Sequence, residues 1–317
     1  MGTFKEISVI MCTYNGAQYI EQQLDSIVKQ TYPIYELIIQ DDGSTDETIE
    51  IINLFRSQYP YIQLFQNKEH LGINQNFFSA MKRATGEFIA ISDQDDIWLA
   101  NKLEKQIERI EKHDICFSAY YFDNVYSNNL KQIRIPIYNI ESQIFGNYVP
   151  GHTMLIKRSL INKINLPAPV CYDYWLAICA HFHNGIIRLN EPLNWRRLHN
   201  MSATALINQK RNMSSLLAPY FQGAIYLNKL RHNANWRHFI SYIHKQSSKD
   251  SRFQLTYTLS KLLLKNNFFN LLKLCFLSLK YKDLIYPKPS KGFLSYFRAF
   301  FFPFIYAYHH HSDFCSF

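Results

Sequence analysis

An α/β fold with a mostly parallel sheet flanked by helices, followed by an α-helical C-terminal region, is predicted by three features of this 317-residue chain. Short, near-continuous apolar runs alternate with segments of helical periodicity. The connections between them are short. Beyond about Ala205 the strand-like runs stop. Apolar runs without polar alternation indicate strands buried on both faces, as in βαβ units whose helices cover the sheet. On this pattern residues 1–205 form one domain and residues 206–317 a second, helical region.

The first run, Ile7-Ser8-Val9-Ile10-Met11-Cys12, ends at Thr13-Tyr14-Asn15-Gly16, after which Ile20, Leu24, Ile27 and Val28 recur at helical spacing up to Pro33. Leu37-Ile38-Ile39 is a second strand, and Asp41-Asp42-Gly43-Ser44 turns the chain into a helix with Asp46 and Glu47 in its first turn. Residues 61–65 give a third strand, residues 70–74 a loop, and residues 77–84 a short helix before Gly86. The fourth strand, Phe88-Ile89-Ala90-Ile91, delivers Ser92-Asp93-Gln94-Asp95-Asp96. Residues 117–134, turning at Ser127-Asn128-Asn129, read as a hairpin or edge strand. Residues 151–156 form a strand, a helix opens at Cys171-Tyr172-Asp173, residues 186–189 form the last core strand, and Arg197-Leu198-His199-Asn200 follows in a loop.

Parallel strands of this kind gather their ligands outside their carboxyl ends, so Thr13, Asp41, Gly72 and Asp93 are expected to meet at one edge. Asp93 and Asp95 project to the same side, where one hard cation bridges them to a diphosphate. Asp96 is expected to cap the next helix.

Formal charge is +9, from 34 basic and 25 acidic side chains. It is uneven: residues 206–317 hold 16 Lys and Arg against 3 Asp, leaving 18 basic against 22 acidic before them. A cationic tail rich in Leu, Phe and Tyr suits an anionic membrane surface rather than nucleic acid. In residues 262–279, Leu and Phe opposite Lys261, Lys265, Lys273 and Lys280 read as one amphipathic helix. Its other uses are completing the core or forming a homodimer contact. The 6 cysteines show no CxxC pair and read as reduced thiols. No secretory signal precedes the first strand, and Arg298 and Pro303 interrupt the best apolar stretch, so a peripheral, cytoplasmic protein is expected.

Three segments in register, Ile10-Met11-Cys12-Thr13-Tyr14-Asn15, Gln40-Asp41-Asp42-Gly43-Ser44-Thr45-Asp46 and Gly86 through Asp96, resemble the family 2 glycosyltransferases of GT-A fold. Ser92-Asp93-Gln94-Asp95-Asp96-Ile97-Trp98 looks most like the bacterial rhamnosyltransferase-type branch of surface polysaccharide assembly. The resemblance implies that Thr13, Tyr14 and Asn15 line a nucleotide and that Asp41 accepts the imide N–H of uracil or thymine, favouring a UDP- or dTDP-sugar. Capping is the plainer role for Asp41, but Ser44, Thr45 and Asp46 already serve it. Gly72 and Asn76 match the loop approached by the sugar nucleotide.

The resemblance further implies that Asp95 ligates Mn²⁺ or Mg²⁺ and that Asp93 holds the ribose or the metal. His199 completes the metal or diphosphate site, with the Arg197 guanidinium facing phosphate. Asp173 is the implied base for an acceptor hydroxyl, with inversion at the anomeric carbon and a lipid-linked glycan as acceptor. Where the family commonly has Glu before this Asp, the chain has Tyr172. Two other readings are a haloacid-dehalogenase-like phosphatase using Asp93 and Asp95, and a sugar-nucleotide-binding scaffold without catalysis. No GxGxxG or GxxxxGK[ST] motif supports a dinucleotide or P-loop site.

Overall fold

The computed structural model describes residues 4–123, 132–164, 168–198, 217–286 and 292–314. Its first half is the expected βαβ series: β1 (Ile7–Thr13), α1 (Ala17–Val28), β2 (Glu36–Asp41), α2 (Thr48–Gln58), β3 (Ile62–Gln66), α3 (Gly72–Arg83) and β4 (Phe88–Ser92). Then come β5 (Ile97–Trp98), α4 (Lys102–Ile110), β6 (Ile115–Asp123), β7 (Ile133–Arg134), α5 (Ile140–Gln143), β8 (Met154–Lys157), α6 (Arg158–Ile161), α7 (Tyr172–His181) and β9 (Ile186–Arg197). Every described element beyond β9 is helical: α8 (Ala218–His232), α9 (Ala234–Ser247), α10 (Gln254–Leu264), α11 (Phe268–Lys280), α12 (Lys282–Ile285), α13 (Phe293–Phe300) and α14 (Phe302–His310), with short 3₁₀ turns between and after them.

The 9-stranded sheet runs β3-β2-β1-β4-β8-β6-β9-β5, with β7 beside β6. From β3 to β4 it is parallel; β8 then pairs antiparallel with both β4 and β6. The sheet is thus mixed, with its parallel part formed by β3, β2, β1 and β4. Ile7, Val9 and Met11 pack with Ile20 and Leu24 of α1, Ile52 of α2 and Leu103 and Ile107 of α4. α3 lies against β1 and β2, burying Phe77, Phe78, Ala80 and Met81. Strands covered by helices on both faces have no solvent side to keep polar, hence the uninterrupted apolar runs.

The chain divides into two units. The first comprises Met1–Pro136, Val149–Leu166 and Cys179–Ser202; the second comprises Ile137–Tyr148, Pro167–Ile178 and Ala203–Phe317. The second unit therefore draws in α5 and most of α7 as well as the helical tail.

Several local expectations change. α3 starts at Gly72 rather than after a loop, so Gly72 and Asn76 are helical. Arg197 ends a strand paired with β6, opposite Asp123, and is not in a loop. The expected hairpin pairs Tyr120 with Arg134 and Tyr121 with Ile133, while its turn at Ser127 lies outside the described residues. The single amphipathic helix over residues 262–279 is broken between α10 and α11, where Asn267 accepts the Asn270 amide at 2.8 Å and starts a new helix. Lys261 and Lys273 therefore sit on different helices. No described helix is long and apolar enough to cross a membrane.

Candidate active site

The parallel register places Thr13 directly beside Asp41, and the Thr13 hydroxyl donates to Asp41 Oδ1 at 2.7 Å. The Ser44 hydroxyl donates to the same oxygen at 2.5 Å, and the amides of Gly43 and Ser44 donate to Oδ2 at 3.1 and 2.9 Å. Asp41 is 0% exposed. Its carboxylate closes the β2 turn and ties it to β1, and both oxygens already carry two donors each. Asn15 adds a second tie: its amide donates to Ser44 Oγ at 2.9 Å and its Oδ1 accepts the Thr45 amide at 2.8 Å. Asn15 takes φ 48, a left-handed conformation that Asn tolerates better than most residues. Tyr14 is 50% exposed, its ring 4.9 Å from that of His70.

The N-terminus of α3 is capped from outside. Leu71 at its start has no side-chain acceptor, so the buried Asp42 supplies one: Oδ1 accepts the Leu71 amide at 2.7 Å and Oδ2 the Gly72 amide at 2.9 Å. Gly72 has φ +74 with open space around a would-be Cβ, so backbone conformation selects glycine there, not close packing. Asn76 is buried; its Nδ2 donates to the Gln40 carbonyl at 3.0 Å and its Oδ1 accepts from Asn67 at 2.8 Å. It holds α3 to the end of β2.

β4 pairs Ser92 with Met11, so the residues that follow emerge beside Thr13. Gln94 fastens this loop to the β1 loop, accepting the Tyr14 amide at 3.0 Å and donating to its carbonyl at 3.1 Å. Gly16 permits this approach: a Cβ there would stand 2.2 Å from Gln94 Oε1. Asp93 and Asp95 are half-buried. Burial pushes Asp93 up to about 7; the neighbouring charges of Asp96 and Asp95 push the same way, and His152 and Arg196 oppose them. The Cys12 thiol is pushed well up by burial and then by the charges of Asp93 and Asp42.

Asp96 does not cap α4, whose N-cap is Asn101. It turns inward, where its Oδ2 meets His152 Nδ1 at 2.8 Å and accepts from Asn194 Nδ2 at 3.1 Å. Lys102 is fully buried beside this pair, donating to the His152 carbonyl at 2.8 Å with its Nζ 3.8 Å from the centre of the Trp98 ring. Burial pulls Lys102 down to about 7, against the opposing charges of Asp96 and Asp93. Arg197 is buried, with Nε on the Asp95 carbonyl at 2.9 Å and an Nη on Gln22 at 2.7 Å. It braces the acidic loop through the backbone. Arg196, the neighbouring strand residue on the opposite face, is the cation whose charge reaches Asp93.

The first unit thus gathers Thr13, Tyr14, Asn15, Asp41, Gly72, Asp93, Asp95 and Arg197 at the carboxyl edge of its parallel strands. The sequence reading missed Asp42, Gln94, His152, Lys102 and Arg196. The Asp41-Asp42 pair and the inserted Gln94 were visible signals for two of them. A cavity of about 340 Å³, lined in part by Phe78, Met81 and Arg158, lies by the amino end of β4, away from the carboxylates.

Asp173 belongs to the second unit. It sits in the first turn of α7, 9% exposed, with its Oδ1 on the Tyr174 amide at 2.8 Å. The Cys171 thiol is pushed well up by burial and then by the Asp173 charge. Tyr174 donates to the Gln143 carbonyl, and the rings of Tyr174 and Trp175 lie 4.9 and 4.6 Å from those of Phe239 and Tyr242 on α9. This packing fixes the turn that carries Asp173. His199 lies outside the described residues.

No group of three His, Cys, Asp or Glu side chains among the described residues forms a metal cage. What the acidic loop offers is a pair of half-buried carboxylates, Asp93 and Asp95. That fits a cation completing its shell with water and diphosphate oxygens rather than with protein alone.

Residues 8–172 match the model of Glycosyl transferase family 2. A relative from Escherichia coli, the UDP-Glc:alpha-D-GlcNAc-diphosphoundecaprenol beta-1,3-glucosyltransferase WfgD, is 32% identical over 187 residues, covering 58% of this chain and 73% of its own. An uncharacterised glycosyltransferase from Haemophilus influenzae is 25% identical over 253 residues, 71% of this chain and 75% of its own. Among solved structures, S. aureus TarS 1–349 in complex with UDP-GlcNAc superposes with a TM-score of 0.59 at 18% identity, covering 97% of this chain and 90% of that one. The Pyrobaculum calidifontis mannosyltransferase PcManGT, in complex with GDP-Man and Mn²⁺, gives 0.53 at 15% identity, covering 98% and 88%. These structural likenesses establish the shared GT-A fold, and the family match removes the phosphatase and scaffold readings. With the family model spanning β1 to the start of α7 and its strand-end motifs gathered at one edge, the chain belongs to the family 2 glycosyltransferases and is an enzyme of that class.

Proposed function

We propose that this enzyme transfers a hexosyl group, with inversion, from a UDP- or dTDP-sugar to a hydroxyl of a lipid-linked glycan at the cytoplasmic face of the membrane, in capsule or O-antigen type polysaccharide synthesis. The observation that carries this reading is the acidic loop that β4 delivers beside the end of β1 at the carboxyl edge, with Asp93 and Asp95 half-buried there. A pair of carboxylates at the strand ends of a family 2 glycosyltransferase suits a cation and a nucleotide diphosphate. The donor and acceptor classes named for WfgD, and the UDP-GlcNAc bound by TarS, are consistent with it.

In this reading Tyr14 and Asn15 border the nucleotide, Gly72 lets it approach the start of α3, and Thr13, Asp41 and Asn76 hold the walls of its site. Asp95, with Asp93 and His199, would hold Mn²⁺ or Mg²⁺, which when bound takes up charge developing on the departing diphosphate. Arg196 contributes positive charge that acts on Asp93, and Arg197 keeps the loop in place. The acceptor hydroxyl oxygen attacks the anomeric carbon from the face opposite the diphosphate. Asp173 takes the hydroxyl proton as the new C–O bond forms, and the electron pair of the old bond leaves with the nucleotide. One displacement gives inversion.

Thermal shift against a panel of UDP-, dTDP- and GDP-sugars, with and without Mn²⁺, tests this. A ligand at about 100 times its Kd stabilises the native state by about 2.7 kcal/mol. The expected result is a metal-dependent shift with a uracil or thymine nucleotide. A shift with GDP-sugars alone, or none with any nucleotide, would overturn the donor assignment.

A further inference from the structure

The second unit carries three neighbouring helices whose apolar residues face outward. α13 is the clearest: it buries Ser295 and Ala299 and exposes Phe293 (84%), Leu294 (64%), Tyr296 and Phe297. A helix at a water-facing surface orients its side chains the other way. α11 buries Leu274, Cys275 and Ser278 while leaving Phe268, Phe269 (75%), Leu272 and Phe276 exposed. α8 buries Gly223, Leu227 and Leu230 and exposes Phe221 (75%) and Ile225.

The three are in contact. The Phe276 ring lies 5.3 Å from that of Phe300, and the Tyr220 ring 5.4 Å from that of Phe297, so α13 runs between α11 and α8. None of these helices contains an Asp or Glu, whereas exposed Lys229, Lys273, Lys280 and Arg298 lie on them and Lys265 precedes α11. A second copy of the chain would bring like charges together here. An anionic bilayer surface complements both features, taking aromatic side chains into its headgroup boundary and cations against its phosphates.

We infer that the face made by α8, α11 and α13 docks on anionic lipid, with Phe221, Phe269, Phe276 and Phe293 entering the interface and the lysines around them. This deepens the reading of a lipid-linked acceptor and rests on it for its purpose, though lipid binding and sugar transfer are measured separately. Docking would bring the enzyme to the surface where such an acceptor resides, without a spanning helix.

Flotation of the full chain with vesicles of phosphatidylcholine alone, or mixed with phosphatidylglycerol, tests the inference. Wild type is expected to float with the mixed vesicles at low salt and less with phosphatidylcholine alone, and high salt is expected to release it from the mixed vesicles less completely than it releases the variant Phe269→Ser/Phe293→Ser. That variant should bind roughly a hundredfold more weakly, since each of the two buried aromatics contributes about a factor of ten. Lys273→Glu/Lys280→Glu should lose the preference for phosphatidylglycerol. Leu54→Ser, which removes a comparably exposed apolar residue from α2, should bind as wild type. Equal flotation of the Phe variant and wild type would overturn the inference, as would a concentration-dependent dimer that the Phe variant abolishes. UDP affinity in solution should be the same in all of these proteins; its loss in wild type would count against the donor assignment and leave the docking result intact.

Discussion

Replacement of Asp41 separates two roles that its position combines. The carboxylate accepts from the Thr13 and Ser44 hydroxyls on one oxygen and from the Gly43 and Ser44 amides on the other, with no exposure to water. In Asp41→Ala the hydroxyls can turn to other partners, but the two amides cannot turn. Gly43 is exposed and Ser44 half-buried, so water can reach their amides, and what is lost is the two bonds to a charged acceptor at roughly 1.5–3 kcal/mol each; Ala should destabilise by roughly 3–6 kcal/mol, a large share of the 5–15 kcal/mol typical of a domain. In Asp41→Asn the amide oxygen can face the two N–H groups, and the amide NH₂ can donate to the rotated hydroxyls. Only charge assistance is lost, roughly 1–2 kcal/mol. Urea unfolding of both variants measures the difference. An Ala variant within about 1 kcal/mol of wild type, or an Asn variant as unstable as Ala, would refute the hydrogen-bond accounting. Because the Asn variant keeps its fold, its UDP affinity reports whether Asp41 also meets the base, a contact that requires the Ser44 hydroxyl to turn aside.

Two further outcomes concern the acidic loop. Asp93 has a folded-state pKa raised to about 7, so the folded protein binds more protons than the unfolded chain between the ordinary carboxylate range and pH 7, and stability falls as pH rises through that window. Asp93→Asn should therefore melt higher than wild type at pH 8 without metal, show little difference at pH 4, and lose transfer activity; a lower melting temperature at pH 8 would contradict the assignment. His152→Ala leaves Asp96 buried without its imidazole and should cost roughly 3–5 kcal/mol in urea unfolding, with Asp96→Asn in the same background recovering part of it. No recovery would mean that packing, not charge, explains the loss.

Much of the first unit was legible because its signals are local. An apolar run ended by Thr13-Tyr14-Asn15 or by Asp93 marks a strand end wherever the rest of the chain lies, and parallel topology then brings those ends together. The start of α3 was misplaced because its cap is Asp42, which comes from another loop and leaves no mark beside Leu71. Arg197 looked like a loop residue because Asn190-Glu191-Pro192 interrupts the apolar run that ends at Leu189, while the pairing partner of β9, β6, lies far upstream. The network of Asp96, His152, Asn194 and Lys102 joins segments that have no sequence proximity, so single-residue patterns could not show it. In the tail, Asn267 was read through as part of one long helix, although a capping Asn at that point divides it.

The proposed transfer needs a proton acceptor, and Asp173 in the first turn of α7 is the one proposed. With the UDP- or dTDP-sugar that stabilises the protein, and an acceptor glycan, the decisive quantity is the transfer rate of Asp173→Asn at saturating donor, alongside its donor Kd. A fall of about 10²- to 10⁴-fold in kcat with the Kd unchanged is expected. A variant turning over within a few-fold of wild type would contradict it.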